Sequence, residues 1–224
     1  MGTDPSYAYQ DPTARVAREG ADARAVFGQT MGLVAFTIGF FALGAYLGRD
    51  ISGGTGLIVM LCGFIPLLGL NVAVRRDAQS LAITLLFAFG LMFGIGLGPV
   101  LNAYAEADPA AVWQAGGATA LFISALGAYG YATRRDFSSW ARTLFWALLA
   151  FIAFGLVAIF VSIPGENIIW AVLGLVLFGF LTVFDFNRLR RSGMQMAPLI
   201  AASIFLDVVN VFLFFLQLFG GNRN

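Results

Sequence analysis

The sequence predicts an all-α membrane protein with seven transmembrane helices. Composition is the first reason: 59% of the 224 residues are hydrophobic, 11% are charged, and the mean hydropathy is +0.84. That balance belongs to a chain folded in lipid, not to a soluble domain. The second reason is length. Seven apolar stretches each approach the roughly 20 residues that a helix needs to cross a bilayer. The third reason is the placement of arginine, which alternates from one side of those stretches to the other.

Residues 1–29 are polar and mixed in charge, with Pro5, Pro12, Arg15, Arg18 and Arg24. They lack the apolar centre and cleavage pattern of a secretory signal. The expectation is a cytoplasmic tail, mostly disordered, with a helix starting near Thr13 as the alternative. The acids Asp4, Asp11, Glu19 and Asp22 argue against an organelle transit peptide. The seven-helix domain is expected over 30–219, with spans at 30–48, 56–74, 80–101, 111–132, 143–163, 168–187 and 197–219. Residues 220–224 form a short external tail. The connections are short and polar, so one compact domain is expected.

With the N-terminus in the cytoplasm, the inner segments hold Arg15, Arg18, Arg24, Arg75, Arg76, Arg134, Arg135, Arg142, Arg188, Arg190 and Arg191. The outer segments hold only Arg49 and Arg223. The positive-inside rule therefore orients the chain N-terminus in and C-terminus out, and an odd number of spans is required for that pattern. The outer loops carry Asp50, Glu106, Asp108 and Glu166, as polar loops commonly do. Gly90, Gly94 and Gly98 recur every four residues in the third span. Small residues at that spacing let helix backbones approach closely. Pro99 is expected to kink or end that helix.

Several function classes are excluded by what is missing. The chain has no His and no Lys; all thirteen basic residues are Arg. A His-ligated zinc site, a Ser-His protease and a retinal Schiff base are therefore impossible. No nucleophile, metal cluster or phosphate loop stands out, so enzymatic activity is not expected. A net charge of +1 without any basic run gives no footprint for nucleic acid. The single Cys62 lies in an apolar run and reads as a small buried hydrophobe.

The chemistry concentrates in the last two spans. Asp207 lies near the middle of the seventh, where a carboxylate costs about 2.5–3.5 kcal/mol on insertion scales. Ser203, Asp207, Asn210 and Gln217 follow at steps of four, three and seven, which places them on one helix face. Such a stripe cannot face lipid, so the last helix is expected inside the others. The bland alternative is a protonated Asp207 that hydrogen-bonds a neighbouring helix. Asp185 lies late in the sixth span, joined to the seventh by a short turn containing Ser192 and Gly193. Two carboxylates meeting in a low-dielectric site cannot both ionise cheaply, and they share a proton. As a dianion the pair would bind a hard cation such as calcium, which prefers oxygen ligands. Depth leaves the meeting open: from Arg188 and Pro198 the two acids lie about 4–5 Å and 13 Å into their helices.

Four local patterns carry a resemblance. They are Gly94-Ile95-Gly96-Leu97-Gly98-Pro99, Ala118-Thr119-Ala120-Leu121-Phe122, Thr133-Arg134-Arg135-Asp136-Phe137-Ser138, and Leu206-Asp207-Val208-Val209-Asn210-Val211-Phe212 with Phe184-Asp185 upstream. In this order, on seven spans, the chain resembles the Bax inhibitor family. The resemblance implies six helices around a central seventh, and a pH-sensitive calcium leak governed by two aspartates that match Asp185 and Asp207. It also implies a latch in which an arginine matching Arg75, with Arg76 adjacent, pairs with the sixth-helix aspartate. Calcium would be the transported ion, and no permanent cofactor is implied. Two departures stand out. No acid lies between Cys62 and Asn71, where some relatives carry one, and Phe186-Asn187 replaces the usual small polar pair. A bacterial member in the plasma membrane is expected, without the cell-death role of eukaryotic relatives.

The leading expectation is thus a calcium leak with Asp185 and Asp207 as pH sensor and metal ligands, Arg75 as latch, and Arg76, Ser203 and Asn210 in support. Its rivals are a non-conducting regulator that binds other membrane proteins, such as a quality-control protease, and a proton-coupled transporter.

Overall fold

The computed structural model of the chain describes residues 12–158 and 166–220, with side chains at 21–157 and 168–220. Its helices are α1 (Pro12–Gly48), α2 (Gly53–Arg75), α3 (Gln79–Ala107), α4 (Pro109–Ala132), α5 (Trp140–Ala158), α6 (Glu166–Arg190) and α7 (Ala197–Gly220). A single 3-10 turn, Met194–Met196, leads into α7. All seven helices are long and apolar enough to cross a membrane.

Six of the expected spans fall inside these helices, the fifth does so as far as Ala158, and the differences have local causes. Residues 12–29 are helical, as expected of a helix starting near Thr13, and not disordered. They form a continuous extension of the first span, rich in the strong helix former alanine. Residues 1–11 and 221–224 lie outside the described residues, as does the expected end of the fifth span at 159–163. Helix α3 runs straight through Pro99 to Ala107, so Pro99 does not end it and Glu106 sits on the helix. The connection to α4 shrinks to Asp108, whose carboxylate accepts the Ala111 N–H at 3.3 Å as an N-cap, with Pro109 opening the helix. Helix α6 continues to Arg190, three residues beyond the expected end.

Helix α7 is the most buried of the seven and α5 the least. It touches α1, α2, α3, α4 and α6, which supports the expected arrangement around the last helix. Ile200, Ala201, Phe205 and Val211 have no exposed surface. Phe205 meets Phe89 and Phe41 edge-on at 5.5 and 5.8 Å, tying α7 to α3 and α1. Helix α5 reaches α7 through Phe151, edge-on to Phe214 at 5.8 Å, and otherwise packs on α6.

The glycines of α3 form a seam with α1, as their spacing predicts. A Cβ at Gly94 would collide with the Phe41 carbonyl and lie 3.0 Å from the Ala45 nitrogen. A Cβ at Gly98 would lie 2.6 Å from the carbonyl carbon of Gly48. Cys62 corrects another expectation: it is exposed on α2. In lipid an apolar residue has no need to turn inward, so hydrophobicity alone does not say which face is buried.

Gly94→Val should force α1 and α3 apart and destabilise the folded chain by about 1–3 kcal/mol. Gly117, where a Cβ meets nothing within 4 Å, is the control. In a thermal melt of purified protein, Gly94→Val should lower the transition and Gly117→Ala should not.

Candidate functional site

The four polar residues of the α7 stripe, Ser203, Asp207, Asn210 and Gln217, line one cavity of about 850 Å³. Asp185 of α6 lines the same cavity. Its walls are aromatic: Phe151 and Phe154 from α5, Trp170 from α6, Phe64 from α2 and Phe93 from α3. The space lies where α5 stands off from α7, and Phe64 and Phe154 at its edge are more than one-third exposed.

The structure brings Asp185 and Asp207 together. Both are buried, 6% and 3% exposed, and close enough that the charge of Asp185 acts on Asp207. The depth mismatch is reduced by the longer α6, which puts Asp185 five residues from the helix end rather than three. Asp207 also meets the Thr182 hydroxyl. The same hydroxyl lies 2.7 Å from the Phe178 carbonyl, so it sits between the α6 backbone and Asp207. The other oxygen, Asp207 Oδ2, is buried with no hydrogen-bond partner. Asn210 donates Nδ2 to the Leu206 carbonyl at 2.8 Å, which leaves its Oδ1 as an acceptor. Asp207 Oδ2, Asp185, Ser203 and Asn210 Oδ1 are thus oxygens of the kind that a hard cation prefers.

The arginines are arranged differently from the expectation. Arg75 is exposed, its Nε donates to Asn71 Oδ1 at 3.0 Å, and it makes no ion pair with Asp185. Arg76 caps α2 through its backbone N–H, bonded to the Val72 and Ala73 carbonyls, and its side chain is exposed. The cation acting on Asp185 is instead Arg188, one turn later in α6. An acid and a base three residues apart on a helix are neighbours, so spacing alone could have indicated this pair. Among the described residues, Arg188, Thr182 and the partner aspartate are the groups acting on the dyad.

A second arrangement, missed in the sequence, sits just beyond Asp185. Asn187 Nδ2 donates to the Gly130 and Arg135 carbonyls, each at 3.1 Å. Its Oδ1 accepts from Phe137 N–H at 3.3 Å and from Arg191 at 2.9 Å. Arg190 donates to the Thr133 carbonyl at 2.6 Å, and Arg191 pairs with Asp136. The α4–α5 loop is therefore clamped to the end of α6. The departure at Phe186-Asn187 acquires a structural reason: Phe186 fills the space beside Gly127, and Asn187 closes the loop. A buried asparagine followed by arginines, in an otherwise apolar run, was the available signal.

Asp136 is held down to about 2 by hydrogen bonds from Ser138 and by Arg191. Its folded value is depressed, so its contribution to the clamp is complete above the ordinary aspartate range and is lost as pH falls through about 2. Asp136→Asn should consequently leave any response between about pH 5 and 8 unchanged, which a pH titration of the variant checks. Asn187→Leu should strand the Phe137 N–H and the Gly130 carbonyl, while Arg191 still serves the Arg135 carbonyl, and cost about 1–3 kcal/mol. Faster proteolysis within residues 133–139, together with a lower melting transition, is the expected reading.

Comparison with known proteins agrees with this architecture. The family model described as "Inhibitor of apoptosis-promoting Bax1" matches residues 23–224. An uncharacterised protein of Pseudomonas aeruginosa is 29% identical over 205 residues, covering 90% of this chain and 91% of that one. An uncharacterised protein of Helicobacter pylori is 32% identical over 147 residues, 65% of this chain and 64% of that one. The inner membrane protein YbhL of Escherichia coli is 28% identical over 179 residues, 75% of this chain and 74% of that one.

Proposed function

From the premise that the chain belongs to the Bax inhibitor family, we propose that it is a pH-sensitive, passive calcium leak, with Asp185 and Asp207 as sensor and cation ligands. The observation that carries this reading is the pair itself: two buried acids on adjacent helices, lining one cavity, with Asp207 Oδ2 unbonded. The membrane is the bacterial inner membrane, with the N-terminus and the arginine-rich ends of the helices in the cytoplasm. The protein carries calcium as cargo, works without a resident cofactor and performs no catalysis.

The mechanism follows from charge. With one proton between them, the acids form a compact, hydrogen-bonded pair that attracts a divalent cation weakly. Loss of that proton leaves two like charges in a low-dielectric site, which repel unless a cation enters. Protons and calcium therefore compete, and calcium occupancy rises with pH. Arg188 stands one turn along α6 from Asp185, at the arginine-bearing end. In the conformation observed, Arg75 is bonded to Asn71. Its role as latch belongs to a different arrangement of α2 and α6, in which it takes over from Arg188.

Calcium flux into liposomes carrying the purified chain, stepped from about pH 5 to 8, tests the reading. Flux should respond to pH in that range, and Asp185→Asn and Asp207→Asn should each flatten the response without loss of folded protein. Folded protein that supports no flux at any pH, or mutants with unchanged profiles, would defeat it. A stoichiometric membrane-protein partner would then be the better account.

A further inference from the structure

The cavity holding the aspartates is built for more than an inorganic ion. Its volume of about 850 Å³ falls in the range of roughly 300–1,000 Å³ typical of sites for drug-sized molecules. Bare calcium occupies a small fraction of that. The walls also offer rings, which an inorganic ion does not need. Trp170 lies flat on Phe151, centroids 3.8 Å apart and planes at 14°, and Phe154 stacks with the same indole at 5.7 Å. These rings line the space above an acidic floor. Among the described residues no group of three acidic or other metal-binding side chains is present, whereas calcium takes six to eight oxygens. An organic cation needs no inner shell of oxygens. It needs one negative charge, an apolar body site and aromatic faces, which attract cations through their quadrupoles.

We propose that this cavity is a binding site for amphipathic organic monocations, with the Asp185–Asp207 pair holding the charge and Trp170, Phe151 and Phe154 holding the apolar body. Asp185 and Asp207 are the acids that line the cavity, and they come from facing helices, so the charge is offered at one place and suits a single cationic centre. Asp207 lines the cavity, and its Oδ2, buried and without a hydrogen-bond partner, leaves acceptor capacity unspent beside it. The half-exposed edge beside Phe154 and Phe64 gives an apolar ligand a way in from the lipid side. Arg188 sits toward the opposite, arginine-bearing end of the pair and does not close this route. The inference rests on the dyad described above as the cation site, but it does not require calcium conduction.

Radiolabelled tetraphenylphosphonium is the probe, measured by equilibrium binding to the purified full chain in detergent without calcium. Tetraphenylborate has the same shape and the opposite charge. The cation should bind saturably, about one per chain, and the borate should not displace it. Asp207→Asn should weaken the cation at least about tenfold, and Trp170→Leu about threefold or more. If Asp207→Asn does not fold, Trp170→Leu and Phe151→Leu decide: each must weaken the cation about threefold or more. Absence of saturable binding, equal uptake of both probes, or binding indifferent to the substitutions would overturn the proposal. Flux without probe binding overturns this inference alone. Probe binding without flux overturns the calcium leak alone.

Discussion

A carboxylate inside a bilayer-length helix has to be kept from lipid, and this chain has two of them on consecutive helices. Neither α6 nor α7 can place its acid outward, so the two helices face each other with Asp185 and Asp207 between them. The polar stripe of α7 extends the same demand along much of the helix, through Ser203, Asn210 and Gln217. A helix with that face can only be central. The remaining helices then supply what covers it, and the contacts of α7 with five of them are the consequence.

The cover is uneven, and glycine explains the difference. On one side, α1, α2 and α3 form a tight unit because Gly44, Gly48, Gly94, Gly96 and Gly98 let backbones touch. The rings of Phe41, Phe89 and Phe93 then seal that unit against Phe205. On the other side, α5 meets its neighbours through large rings, Phe151 and Phe154 against Trp170 and Phe214. Bulky side chains hold the helix axis away, and the cavity is the space that results. Its position follows from packing, while its acidic floor follows from the α7 stripe.

The sequence exposed the parts of this arrangement that depend on expensive residues. Acids in apolar runs, the stripe at helical spacing, arginines at alternating ends and glycines every four residues were all legible, because each has few places it can go. What stayed hidden depends on residues that lipid and protein accommodate equally well. Cys62 reads as buried and faces outward, since an apolar stretch in a membrane has no intrinsic inside. Pro99 reads as a kink or an end, and it does not end α3, which continues through it to Ala107. Arg75 reads as a partner for Asp185, but a guanidinium at the end of α2 has Asn71 one turn away, and Arg188 is already beside the acid on its own helix. The cavity walls could not be read at all, because ring contacts between α5 and α6 require knowing how those helices rotate.

The clamp at the end of α6 bears on how the site can move. Asp185 and Asn187 are separated by one residue, and Asn187, Arg190 and Arg191 together hold the loop that leads into α5. A force separating the aspartates therefore does not act on α6 alone. If α6 moves as a rigid helix, it carries the α4–α5 loop and the start of α5 with it. If it does not carry them, several charge-assisted hydrogen bonds must break, at about 1.5–3 kcal/mol for each that is left unreplaced. Repulsion between two ionised carboxylates is a modest drive by comparison, since effective screening inside proteins keeps such interactions well below their dry-interior limit. Carrying the clamp along is the cheaper course. The helix that moves with α6 is then α5, the least buried of the seven and the one that walls the cavity. The clamp thus ties the helix that carries Asp185 to the helix that walls the cavity.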